Sequence, residues 1–128
     1  MFQIDIMSRT PVYEQIISQL ENFVLTGILK AGDKVPSVRN LSATLSINPN
    51  TIQKAYSELD NRGIIYSVPG KGCFIHEEAK TTIMKKKQSE LVDLVERIQE
   101  LKLAGISISQ ILQCVETIFN TEKESQHD

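Results

Sequence analysis

Between Ser46 and Gly63 the chain reads SINPNTIQKAYSELDNRG, a helical stretch whose polar residues are amides and hydroxyls more than charges. Stepping about 100° per residue from Ile52, the centre of its apolar stripe, places Asn50, Lys54, Ser57 and Asn61 on the opposite side, with Thr51 and Gln53 on the flanks. Asn and Gln carry a donor and an acceptor in one planar group, which matches the edges of bases in a major groove. Lys54 offers a charge to phosphate or guanine, and Ser and Thr suit phosphate oxygens. The alternative for such a face is plain solvation. A second stretch with chemistry is Pro69-Gly70-Lys71-Gly72, where one Lys stands between two glycines. Such a tip lets backbone come close to a phosphate or enter a minor groove; the alternative is an ordinary turn with a solvated Lys.

The elements that must position these residues follow from pattern. TPVYEQIISQLENFVLTG predicts a first helix, with Thr10 as cap, Pro11 in the first position and Gly27 as the stop. Val12, Ile16, Leu20 and Phe23 form its stripe, widened by Tyr13, Ile17 and Val24. ILKAGDKVPS predicts a loop with a Gly32-Asp33 turn. Ser37 caps a short second helix bearing Val38, Leu41 and Leu45 on one face. Asn48 caps the third helix, with Pro49 in its first position and Gly63 at its end. Ile47 fills the core between the two. Ile64–Val68 and Cys73–His76 then read as the strands of a hairpin. A short helix, a tight turn and an amide-bearing helix make a helix-turn-helix, and the hairpin makes it winged.

Residues 78–89 show no apolar period and read as a linker or the frayed start of a helix. From Glu90, the residues Leu91, Leu94, Val95, Ile98 and Leu101 form a stripe that ends at Gly105. Ser107 and Gln110 fit a capping box, and Ile106 with Ile111 a hydrophobic staple. Ile108, Ile111, Leu112, Val115, Ile118 and Phe119 continue that helix, and 121–128 read as a disordered tail. The expected fold class is α+β, mostly α. It comprises a winged helix-turn-helix over 1–77, a linker or helix start over 78–89, and a helical dimerisation hairpin over 90–120.

Composition bounds the function. The chain has 128 residues, 41% hydrophobic and 23% charged, with a net charge of −2. That excludes a protein coated in positive charge. Residues 1–78 hold seven Lys/Arg and eight Asp/Glu. DNA binding by this segment therefore needs local asymmetry, with Arg39, Lys54, Arg62 and Lys71 on one surface. No apolar run reaches the length of a membrane span, and the N-terminus lacks the features of a signal peptide. Cys73 and Cys114 lie outside metal-ligand spacing and read as reduced thiols of a cytoplasmic protein. His76 and His127 have no partners at metal spacing. No catalytic set stands out, so neither an enzyme nor a cofactor is expected. Lys85, Lys86 and Lys87 read as a solvated run.

The run AGDKVPSVRNLSATLSINPNTIQKAYSELDNRGIIYSVPGKGCFI resembles the DNA-binding domain of the GntR family of bacterial transcription regulators, over roughly residues 10–76. With its short helical tail, the chain resembles the family's YtrA-type branch, whose members resemble regulators of ABC-transporter operons. The resemblance implies DNA contacts from Ser37 and Arg39, from Asn48, Asn50, Thr51, Gln53 and Lys54, and from Gly70, Lys71 and Gly72. Many members carry Arg where this chain has Pro49 and Gln53, which leaves fewer bidentate guanine contacts and implies a different operator. The expected protein is a homodimeric repressor on an inverted-repeat operator in double-stranded DNA, with no membrane partner and an unknown small-molecule effector. The rival is a winged helix that binds protein instead.

Overall fold

The computed structural model describes residues 1–121 and the backbone course of the last helix to His127. Two compact units divide the chain, Met1–Gln88 and Ser89–Asp128.

The first unit opens with α1 (Val12–Leu25), then α2 (Val38–Leu45) and α3 (Pro49–Asn61). β1 (Ile65–Val68) pairs antiparallel with β2 (Gly72–Ile75), joining Ile65 to Ile75 and Val68 to Gly72. Both predicted caps form. Ser37 Oγ accepts the Asn40 N–H at 3.0 Å, and Asn48 Oδ1 accepts the Asn50 N–H at 2.8 Å. Each satisfies a donor that the first helical turn leaves without a partner. The expectation for α1 needs correction. Pro11, not Thr10, is the capping residue, with ψ of 147°, and no side chain caps this helix. Gln15 explains the difference: its Nε2 donates to the carbonyls of Thr10 and Asp5, both at 2.8 Å, and fixes the approach of the chain.

The core gathers along the contact of α1 with α3. Ile16, Leu20, Ile52 and Leu59 are fully buried there, and Ile64 and Ile75 of the hairpin region close the lower edge. A side chain of that size contributes about 1.5–3 kcal/mol when wholly withdrawn from water. The N-terminal residues, which carry no periodic signal, also join this core. Phe2 is buried and meets Phe23 edge-on at 5.1 Å between ring centroids.

One stretch differs from expectation. Residues 32–35 are not plain loop. Lys34 bridges to Phe74, and the Val35 N–H donates to the Cys73 carbonyl at 2.9 Å, so this stretch runs along β2. For residues 78–89, expected as a linker or the start of a helix, the structure has a helix. They carry α4 (Ala79–Ser89), and Ala79 and Ile83 are both 1% exposed. Two apolar residues at i and i+4 anchor this helix among Lys and Thr, too few to register as a period.

The second unit holds α5 (Leu91–Leu103) and α6 (Ile108–His127). The capping box is present: Gln110 Oε1 accepts the Ser107 N–H at 3.0 Å, and Ser107 Oγ accepts the Gln110 N–H at 3.2 Å. Over 121–127 the expected disordered tail instead continues the backbone of α6, and only Asp128 lies outside the described residues. Among the described residues no helix is long and apolar enough to cross a membrane.

Ile83→Ala should lower the unfolding free energy of the first unit by about 2–4 kcal/mol through the cavity it leaves. Urea titration of the fragment 1–88 with and without the substitution reads this directly. Coincident curves would show that α4 is not anchored in the core.

Candidate nucleic-acid interface

Ser46 turns the chain between α2 and α3. It adopts the left-handed conformation at φ 56°, ψ 44°, the one non-glycine residue among those described to do so. The turn is tied by Ser42, whose hydroxyl donates to the Ile47 carbonyl at 2.6 Å and whose own carbonyl accepts the Ile47 N–H at 3.2 Å. α3 follows with Ile52, Ala55, Tyr56 and Leu59 turned inward. Burial of those four leaves Asn50, Gln53, Lys54 and Ser57 exposed on the outer side.

The outward residues are not equally available. Asn50 and Arg39 are exposed, and among the described residues their side chains make no hydrogen bond or ion pair. Gln53 Nε2 donates to Ser57 Oγ at 3.2 Å, along the helix surface. Lys54 lies over the ring of Tyr13, with Nζ 3.8 Å from its centroid, a placement the spacing alone does not reveal. The Tyr13 hydroxyl donates to Glu14, and that hydrogen bond raises its pKa above the usual tyrosine range. Ser37 and Asn48 each spend one acceptor on a helix cap. The Ser37 hydroxyl proton and the Asn48 amide N–H groups make no hydrogen bond among the described residues. Thr51 is half-buried.

The wing presents Gly70, Lys71 and Gly72, all exposed, on a turn closed by the Lys71 N–H and the Val68 carbonyl at 2.9 Å. Tyr66 stacks on Phe74 across the hairpin with centroids 5.8 Å apart. Cys73 and Cys114 are both free.

One expected cation is committed elsewhere. Arg62 does not join the outward set: it binds Glu58 at 2.9 Å and the buried Glu21 at 3.6 Å. The reason is the burial of Glu21 at 4% exposure, which demands a nearby positive charge. Tyr56 performs a second internal task. Its hydroxyl donates to the Pro36 carbonyl at 2.6 Å, tying α3 to the chain that enters α2. Burial, helped by the nearby Cys73, holds its phenol well above the ordinary tyrosine range.

A helix-turn-helix with an exposed amide on its second helix and a glycine-flanked lysine on the following hairpin is the architecture of a winged-helix regulator of transcription. Comparison with known proteins agrees. Residues 12–75 match the family described as "Bacterial regulatory proteins, gntR family". The chain is 43% identical to the HTH-type transcriptional repressor YtrA of Bacillus subtilis, over 92% of each protein. It superposes with a TM-score of 0.76 on a transcriptional antiterminator from Listeria monocytogenes, at 35% identity over 92% of this chain and 89% of that one. It superposes with a TM-score of 0.58 on YtrA from Sulfolobus acidocaldarius, a GntR-family transcription factor, at 33% identity over 72% of this chain and 97% of that one. The chain belongs to the GntR family of bacterial transcription regulators, in its YtrA-type branch. It is a regulator and not an enzyme.

Tyr56→Phe should lower stability by about 1–2 kcal/mol at neutral pH, since the Pro36 carbonyl loses its donor. The pH dependence has a definite sign. A phenol whose folded pKa lies above its ordinary value of 10.0 contributes stability below that pH and loses it as pH rises further. Urea midpoints at pH 7 and about pH 11 should therefore fall further apart in the wild type than in the Phe variant. Equal separation would show that the folded state does not hold this proton more tightly.

Proposed function

We propose that this protein is a homodimeric transcriptional repressor that binds an inverted-repeat operator in double-stranded DNA. In this reading α3 enters the major groove, and the wing meets the adjacent backbone or minor groove. The observation that carries it is Asn50, an exposed amide in the first turn of α3 whose side chain has no partner among the described residues, together with the exposed Arg39 of α2 and the glycine-bounded Lys71 of the wing. Thr51, Gln53 and Lys54 extend the face, and Ser37, Asn48, Gly70 and Gly72 supply phosphate contacts and close backbone approach. The likeness to a repressor from Bacillus subtilis supports the direction of regulation. The YtrA-type branch points to an operon of transporter genes as the target, and the site of action is the cytoplasm.

Pairing of two chains is supported by the second unit. Leu91, Leu94 and Val95 are each more than half exposed, as are Ile118 and Phe119. No residue of α5 is buried within the chain. Apolar surface of that extent on a helical hairpin calls for a partner, and closed two-fold pairing is the commonest solution. The proposed interface comprises the stripes of Leu91, Leu94, Val95, Ile98 and Leu101, and of Ile108, Ile111, Leu112, Val115, Ile118 and Phe119. A protein-binding winged helix is the second reading, favoured by the net charge of −2. Duplex binding that weakens steeply with salt separates the two.

Selection from a random duplex pool should recover an inverted repeat with half-sites about one helical turn apart. The fragment 1–88 should be monomeric in sedimentation and bind that sequence far more weakly, because its second half-site contact is no longer intramolecular. A full-length monomer, or a fragment that binds at full strength, would assign the second unit another role.

Asn50→Ala should cost about 1–3 kcal/mol on the selected sequence and relax preference at one base pair. Titration against a set of single-base variants reads both effects. Equal weakening on every sequence would move Asn50 to phosphate contact.

A further inference from the structure

Lys34 stands in a stretch that pattern alone assigns to loop, yet its backbone is held firmly. The Gly32 N–H donates to the Ile75 carbonyl at 2.9 Å, the Ile75 N–H to the Asp33 carbonyl at 2.8 Å, and the Val35 N–H to the Cys73 carbonyl at 2.9 Å. Lys34 itself lies opposite Phe74. The free edge of β2 therefore carries an isolated bridge to this stretch. From that edge the Lys34 side chain lies against Gly72, beside the turn that carries Lys71. A Cβ at Gly72 would stand 3.0 Å from Lys34 Cε and 3.8 Å from its Nζ. Gly72 also has φ of +115°, a conformation that calls for glycine.

Within the hairpin itself charge is one-signed. Residues 64–75 contain Lys71 and no Asp or Glu. The Asp33 carboxylate, the nearest in sequence to Lys34, accepts the Lys30 N–H at 2.8 Å. Among the described residues neither Lys34 nor Lys71 has an ion pair. In a protein of net charge −2, an unpaired Lys34 ammonium lying against the residue next to the unpaired Lys71 is an arrangement that an anion stabilises.

We propose that Lys34 and Lys71 together form a two-cation clamp for the phosphodiester backbone of duplex DNA. The inference rests on the DNA-binding reading above and adds a contact from outside the helix-turn-helix and the hairpin turn. An ammonium is a point charge without a fork of donors, so its role is to grip phosphate and not to read bases.

The experiment uses the full-length chain as wild type and as Lys34→Gln, Lys34→Arg, Lys71→Gln and Lys30→Gln. Lys30 serves as the control, since it stands toward the base of the hairpin, near His76 and Lys80. Each is titrated across salt against duplex recovered by selection and against random-sequence duplex. Lys34→Gln should bind roughly fivefold more weakly at about 0.15 M salt on both DNAs, with the salt slope reduced by about one. Lys34→Arg should keep the wild-type slope, and Lys30→Gln should leave affinity and slope unchanged. Weakening in Lys71→Gln with none in Lys34→Gln overturns the clamp alone. Lys34→Arg behaving like Lys34→Gln also overturns it, because the requirement would then be shape and not charge. A wild-type chain that binds neither duplex overturns the reading beneath it.

Discussion

The packing of α1 against α3 is the constraint from which the rest of the first unit follows. Ile16 and Leu20 from one helix and Ile52 and Leu59 from the other are wholly withdrawn from water. Once those side chains are inside, the helical repeat fixes which residues must face outward. The outward amides of α3 are in that sense a by-product of its core. Two polar contacts define the ends of the same seam. Lys54 lies on Tyr13 near the start of α3, and Arg62 reaches Glu21 at its finish. The second is costly in isolation, because Glu21 is buried and its Oε2 has no hydrogen-bond partner among the described residues. A buried carboxylate is tolerated where a cation is held beside it, and Arg62 does so while being held in turn by Glu58.

What could be read in the sequence was whatever is encoded within a few residues. The caps at Ser37 and Asn48, the capping box at Ser107 and Gln110, and the hairpin turn each join groups separated by two or three positions. The outward face of α3 was legible for the same reason, since Ile52, Ala55, Tyr56 and Leu59 mark the inner face by spacing alone. Contacts between distant segments were not legible. Gln15 clamps Asp5, Gln19 clamps Gln3, and Phe2 reaches Phe23, none of which leaves a periodic trace in the first ten residues.

The same limit explains the residues that spacing misplaced or passed over. Arg62 counts as an outward cation until the burial of Glu21, 41 positions earlier, is known. Lys34 counts as a loop residue until residues 32–35 are seen running along β2, because one isolated bridge without an apolar run has no signature. Ile83 stands alone among lysines and threonines, so burial on one side of α4 depends on a surface that the rest of the chain supplies.

Residues 34–37 touch three elements in four positions. Lys34 lies opposite Phe74 and Val35 bonds to Cys73 of β2, the Pro36 carbonyl receives the Tyr56 hydroxyl of α3, and Ser37 caps α2. The hairpin, α3 and α2 therefore share one short run of backbone. A hairpin attached only through its own two strands would surrender much of its freedom on settling into a groove, at a cost to affinity. Here that ordering is completed when the chain folds. In the proposed DNA-binding role the wing meets its target preorganised, without a further entropic cost of holding it in place.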